Sequence, residues 1–213
     1  MVLNQIKQDF HKTHLGRVLK YISQPSVSAS NLGILEMAKM LSNEINELGG
    51  RSKIIQTNEL PIIFGKMDGN SDKTLVFHGL YDVAPADEPT WQTSPFTPEI
   101  GNVEGVGLSV LGRGAEDMKT PIALVMNVIQ AYRENDLTLP INLMFVLEAS
   151  ELGSGGIKEF IPRFKSELID ADAVLWLCPM ANSDGTPIIP LSVKGNLMGK
   201  LICKGGKWRS NCK

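Results

Sequence analysis

Three times along this chain an apolar run of strand length ends in a segment that carries carboxylates. The segments are Val76-Phe77-His78-Gly79-Leu80-Tyr81-Asp82, then Gly112-Arg113-Gly114-Ala115-Glu116-Asp117-Met118-Lys119, then Phe145-Val146-Leu147-Glu148-Ala149-Ser150-Glu151. Open α/β sheets build their sites at strand ends, where the crevice gathers side chains from several strands onto one point. An ordered set of acidic strand ends therefore suggests a metal site on such a sheet.

The rest of the chain supplies the helices that such a sheet needs. Ile6, Phe10, Leu15, Val18, Leu19 and Ile22 recur at helical spacing and stop before Gln24-Pro25, which predicts a helix over 6–22. A second helix, capped by Ser30 or Asn31, places Ile34, Leu35, Ala38, Leu41, Ile45 and Leu48 on one face and ends at Gly49-Gly50. Strands are expected at 53–55, 61–65 and 74–77, separated by turn-forming clusters. A loop rich in Pro and Trp spans 84–98, and a strand-like run over 103–111 leads to Asp117. Pro121 opens a helix carrying Leu124, Val125, Val128, Ile129 and Tyr132. A strand at 141–147, a helix at 157–164 and a strand at 173–177 complete an alternation that argues for a layered α/β fold with a mainly parallel sheet.

Beyond 188 the pattern changes to two short apolar runs around Lys194-Gly195, with no core-forming pattern after 203. Strands that begin a new pair need something to cover them, so the sequence reads as cut short at its C-terminus, with a first domain over 1–193 and the opening strands of a second over 194–213. Net charge is -2 and the composition is ordinary, which gives no long-range attraction to nucleic acid or anionic lipid and favours a small or peptide-like ligand. Cys178, Cys203 and Cys212 are odd in number and form no CxxC pair, and no secretory signal precedes them, so a reduced cytoplasmic setting is expected. No apolar run reaches the roughly 20 residues that a membrane-spanning helix needs.

The three segments resemble those of the di-zinc metallopeptidases that include aminoacylase, acetylornithine deacetylase, carnosinase-type dipeptidases and glutamate carboxypeptidases. The family's Gly-His-x-Asp-Val-x-Pro is met by Gly79-Leu80-Tyr81-Asp82-Val83-Ala84-Pro85, followed by Trp91 and Pro95-Phe96. Its Gly-Arg-Gly-x-x-Asp-x-Lys-Gly is met by residues 112–120, and its Glu-Glu-x-Gly-Ser by Ser150-Glu151-Leu152-Gly153-Ser154. The resemblance covers about residues 10 to 203 and implies a phosphorylase/hydrolase-like three-layer α/β/α catalytic domain. It implies hydrolysis of amide bonds in N-acyl amino acids or small peptides, with two zinc ions sharing a bridging carboxylate and a water whose proton passes to a neighbouring Glu. It also implies a small lid domain in mid-chain that often dimerises, of which only the strands from about 194 would be present.

On this resemblance Asp117 is the bridging carboxylate, Glu151 a metal ligand, and Asp82 the carboxylate that orients a His ligand. This chain departs from the pattern at that His, which is Leu80, and at the general base, which is Ser150. Glu148 is the nearest substitute base, and Cys178 stands where the family has an acidic ligand. The family's remaining His ligand has no counterpart before Lys213. His78 shares a strand face with Leu80 but sits about 7 Å back along the strand.

Each of these residues has a plainer reading. Asp117 and Asp82 can be turn or capping residues, and His78 a satisfied core histidine. Glu148 and Glu151 can form a solvated strand end facing the start of the next helix, and Cys178 can be a buried structural thiol. His11 and His14 read as solvent-facing histidines of the first helix, and Gly105-Val106-Gly107 lacks the context of a phosphate loop. The sequence thus supports two outcomes: a metal-dependent hydrolase of impaired activity, or a non-catalytic degenerate or truncated homologue or binding module that keeps the cleft.

Overall fold

In the computed structural model, residues 14–91, 93–151 and 155–178 are described, together with Asn4 and residues 186, 188, 190–192, 199, 201–202 and 205. The chain divides into two compact units, 1–179 and 180–213. The fold below is that of the first; the expected boundary at 193/194 and the expected lid strands lie almost wholly outside the described residues.

Helices α1 (Leu15–Ser23) and α2 (Ile34–Glu47) precede strands β1 (Arg51–Ile55), β2 (Ile62–Met67) and β3 (Thr74–Leu80). Strands β4 (Glu99–Val103) and β5 (Gly107–Leu111) follow, then α3 (Lys119–Glu134), β6 (Asn142–Glu148), α4 (Ile157–Arg163), α5 (Lys165–Leu168) and β7 (Ala173–Trp176). The main sheet has the order β1-β2-β6-β3-β7. Strand β2 is antiparallel to both of its neighbours, while β6, β3 and β7 are parallel, so four of the five strands run the same way.

Strand periodicity divides the core into two layers. Ile63, Phe77, Leu143, Phe145 and Leu147 point to one face, where they meet Tyr21 and Ile22 of α1, Met37, Leu41 and Ile45 of α2, and Ile122, Met126 and Ile129 of α3. Ile62, Phe64, Val76 and Val146 point to the other face and meet Phe160, with Ile157, Phe164 and Leu168 packed around it. The result is the expected three-layer α/β/α arrangement. It puts the C-terminal ends of β3 and β6 side by side, in register from Thr74↔Asn142 to Leu80↔Glu148.

Several local expectations are corrected. The run over 103–111 is not one strand: it joins β4 to β5 as a separate hairpin, because Gly105 and Gly107 take positive φ and turn the chain. Helix α2 is not capped by Ser30 or Asn31. Ser28–Ser30 form a 3-10 turn, Asn31 is left-handed, and Gly33 at φ 67 stands at the N-cap without a side-chain hydrogen bond. On α2 the inward position goes to Met37, with Leu35 left exposed. On α3 Leu124 and Val128 are exposed, and Ile122, Ala123 and Met126 face the core instead. The helical period was right, and Ile34, Ala38, Leu41, Ile45 and Ile129 are buried as expected; an apolar pattern wider than one stripe does not fix which of its margins turns inward. His14 is buried at 1% exposure, not solvent-facing, because α1 lies against α3 and its backbone carbonyl accepts from Asn127 Nδ2 at 3.2 Å. The amphipathic face of that helix is broader than the leucine and isoleucine spacing indicated. His11 lies outside the described residues.

Candidate active site

Three loops meet at the C-terminal ends of β3 and β6. The first leaves β3 at Leu80, and its position is set by main-chain bonds: Tyr81 N–H donates to Glu148 O at 2.9 Å and Val83 N–H to Ser26 O at 2.8 Å. Tyr81 is itself buried, with its hydroxyl donating to Pro61 O at 2.6 Å. Asp82 is therefore carried inward between the turn at 26–28 and the end of β6, where its exposure falls to 0%.

A carboxylate so placed must find donors. Asp82 Oδ1 accepts the backbone N–H of Ser150 at 2.9 Å, and Oδ2 accepts that of Glu151 at 3.0 Å. Burial raises its pKa, and hydrogen bonds from the Ser28 hydroxyl and from the Glu151 and Ser150 amides oppose the rise. Lys119, the first residue of α3, is also fully buried; its Nζ donates to Gln24 O and lies 5.6 Å from the centre of the Phe96 ring. Burial pushes that amine down to about 7, with Asp82 pulling the other way.

Asp117 is exposed at the mouth, two residues before Lys119 and joined to Met118 by a cis peptide. Partial burial, and then Glu116, raise its carboxyl pKa. Glu151 is raised by burial and then by Asp117 and Asp82, against Arg113. The Cys178 thiol is half-buried and shifted up by burial and then by Asp117, Glu151 and Glu116. Arg113 reaches Glu88 and lies 5.2 Å from the Trp91 ring, and Trp91 Nε1 donates to Glu88 Oε2 at 2.8 Å. Trp91 and Phe96 thus seat the two cations of this loop, Arg113 and Lys119. The Trp91 donor, the Glu88 backbone and Arg113 hold the Glu88 carboxyl down to about 2.

Glu148 and His78 make a separate pair. His78 Nε2 lies 3.1 Å from Glu148 Oε1, and Glu148 is 4% exposed. Both belong to the sheet face covered by α4 and α5, as alternation from Val76 and Val146 requires. This corrects the reading of Glu148 as a solvated strand end: β6 is a central strand, and its last residue is still inside the sheet. Cys178 is less buried than a structural core thiol, because it follows β7, the edge strand, whose residues are all exposed.

Several positions of the resembled family's metal centre lack a donor in this chain. Leu80, at the place of the His ligand, is buried and has no donor. Ser150 uses its amide on Asp82, and its hydroxyl cannot serve as a base near neutrality. Among the described residues no group of three His, Cys, Asp or Glu side chains converges closely enough to hold an ion. Asp117 and Glu151 face each other as like charges, as ligands of one cation would, but two carboxylates fall short of the three or four protein ligands that zinc takes. The described residues do not fit a two-ion centre.

The fold is similar to that of metallopeptidase catalytic domains. Residues 76–190 match peptidase family M20/M25/M40, and the chain belongs to that family. It is 32% identical over 166 residues to the Cys-Gly metallodipeptidase DUG1 of Candida albicans, an alignment that covers 69% of this chain and 34% of that protein. It is 30% identical over 156 residues to the human Beta-Ala-His dipeptidase, covering 70% of this chain and 30% of the relative. Among solved structures, Dug1p of Saccharomyces cerevisiae superposes with a TM-score of 0.70 at 28% identity, over 82% of this chain and 40% of that one. Human carnosine dipeptidase 1 gives 0.73 at 23% identity, a likeness of fold, over 82% of this chain and 40% of that structure. The chain spans about a third of the length of these curated relatives.

The sequence did not reveal the burial of Lys119, the acceptor role of Asp82 toward two backbone amides, or the hydroxyl of Ser28. A lysine two residues after a site carboxylate was a signal in itself. Nothing in the sequence around Ser28 marks it, since its partner is 54 positions away.

Proposed function

We propose that this chain is built around metal-assisted hydrolysis of the amide bond of small peptides or N-acyl amino acids, and that the chemistry is impaired in the chain as it stands. The observation that carries the reading is the replacement of the His ligand and the base by Leu80 and Ser150, and of an acidic ligand by Cys178, in a frame that keeps the other motif residues. Asp82, Asp117, Lys119 and Glu151 occupy the family's positions, while Leu80 and Ser150 remove a ligand and the base. The relatives are dipeptidases by name, which supports a small peptide as the substrate class. Zinc is the metal the resemblance favours, at zero or one ion per chain, with Asp117 and Glu151 as the ligands and Cys178 or His78 only as auxiliary donors. Glu148 is the candidate base, although its Oε2 is buried and finds no hydrogen-bond partner among the described residues. A cytoplasmic setting, and dimerisation where a lid domain is present, belong to the same proposal. No helix among the described residues is long and apolar enough to cross a membrane.

A second reading, a non-catalytic homologue that uses the cleft for binding, is favoured by one observation. Glu148 and Asp82 are already engaged with protein groups, His78 in one case and two amides in the other.

The test is a gain of function. The parent and a Leu80→His/Ser150→Glu double variant are compared for zinc content by plasma mass spectrometry and for hydrolysis of Cys-Gly, β-Ala-His and N-acetyl amino acids. The reading expects weak zinc and little turnover in the parent, with tighter zinc in the variant. Two tightly held ions in the parent would refute the impairment, and a double variant that folds yet gains no zinc would favour the binding module.

A further inference from the structure

We propose that Asp82 acts in this chain as a positioning residue for Glu151, clamping the 149–151 turn by its backbone, with Leu80 in the place of the imidazole it would otherwise orient. The proposal takes from the reading above only that Glu151 is a site carboxylate. In the resembled family this aspartate orients the histidine two residues before it. Here that residue is Leu80, and an aspartate left without its partner would be a buried, unsatisfied charge. Asp82 is instead fully engaged. An ionised carboxylate offers about four acceptor sites. Those of Asp82 take the Ser150 N–H at 2.9 Å, the Glu151 N–H at 3.0 and 3.2 Å across both oxygens, and the Ser28 hydroxyl.

The geometry says what the clamp does. Strand β6 ends at Glu148, so Ser150 and Glu151 lie past the sheet hydrogen bonds and need other partners for their amides. Both are supplied by one side chain held rigid from behind. Ser26 Oγ donates to Tyr81 O at 2.8 Å and Val83 N–H to Ser26 O at 2.8 Å, which pins the backbone on either side of Asp82. The same turn at 24–28 receives Lys119 Nζ on the carbonyl of Gln24. One short segment therefore ties down the start of α3, which Asp117 precedes by two residues, and the turn that carries Glu151. The spacing of these two carboxylates is set by protein–protein hydrogen bonds before any ligand arrives.

The experiment follows the amides of Ser150 and Glu151 in the 15N-labelled chain, in the parent and in Asp82→Asn, Asp82→Glu and Ser28→Ala variants. Amides donating to a carboxylate resonate downfield and resist exchange. In Asp82→Asn these two signals should move upfield and exchange about tenfold faster or more, while Phe145 and Val146 of β6 keep their protection. Asp82→Glu should restore part of the shift, and Ser28→Ala should give a smaller loss confined to the same two amides. If Asp82→Asn does not fold, the Ser28→Ala result decides alone. Unchanged Ser150 and Glu151 signals, or an equal loss of protection along β6, would overturn the clamp. Neither outcome depends on zinc or on hydrolysis, so failure of the functional reading is distinguishable from failure of this one.

Discussion

Lys119 carries a consequential titration, because an amine of ordinary pKa 10.5 is held near 7 by burial. Between these values the unfolded chain binds the additional proton, so this group makes stability rise with pH from about 7 to about 10.5. Below 7 both states are protonated and the full cost of the buried ammonium remains. A Lys119→Met variant should therefore lose ground to the parent as pH increases through that window, by up to about 1.4 kcal/mol per pH unit. Urea midpoints of both proteins at pH 7, 8 and 9 would measure it; parallel pH dependences would mean that the amine is not held down. The motif made Lys119 visible, but its burial comes from Gln24 and Phe96, which reach it from two other segments, together with Gly114 of its own.

At the scale of elements, sequence periodicity sufficed for the existence and type of most helices and strands and failed at their edges. Gly33 shows the reason. The sequence offered Ser30 and Asn31 as helix caps, yet the chain first makes a 3-10 turn, bridges Val27 to Leu32, and enters α2 through a left-handed residue. A Cβ at Gly33 would collide with the carbonyl of Pro25, and the positive φ adds its own cost. Gly33→Ala is expected to destabilise the fold by at least about 1–2 kcal/mol. It should also loosen the 24–28 turn on which Asp82 and Lys119 both rest. Thermal unfolding gives the first effect, and exchange of the Val27 and Leu32 amides the second. A melting temperature equal to the parent's would show that the turn relaxes at no cost.

At the scale of the whole molecule, the sheet is unevenly covered among the described residues. Strand β3 is sandwiched between β6 and β7 and buried at its centre, but β7 presents Val174 at 66%, Leu175 at 39% and Trp176 at 47% exposure. A parallel strand usually has helices on both faces, and an apolar edge open to solvent is a template for pairing with another chain. The protein should self-associate as its concentration rises, and Trp176→Lys should reduce that association. Sedimentation velocity over a hundredfold range of concentration, with Trp fluorescence alongside, tests this. A parent that stays monomeric throughout would show that the edge is protected.

Local pattern by itself determined the alternation of helix and strand, the mainly parallel sheet and the acidic strand ends, because period and turn chemistry are encoded within a few neighbouring residues. The family followed from three motifs in order, for the same reason. Tertiary structure alone decided what those carboxylates do: which are buried, which amide each accepts, and that Glu148 turns to His78 while Asp82 turns to the backbone of Ser150 and Glu151. Such partners lie 68 to 70 positions apart. They meet only because β3 and β6 pair in one register, and a sheet register is fixed by how whole faces pack.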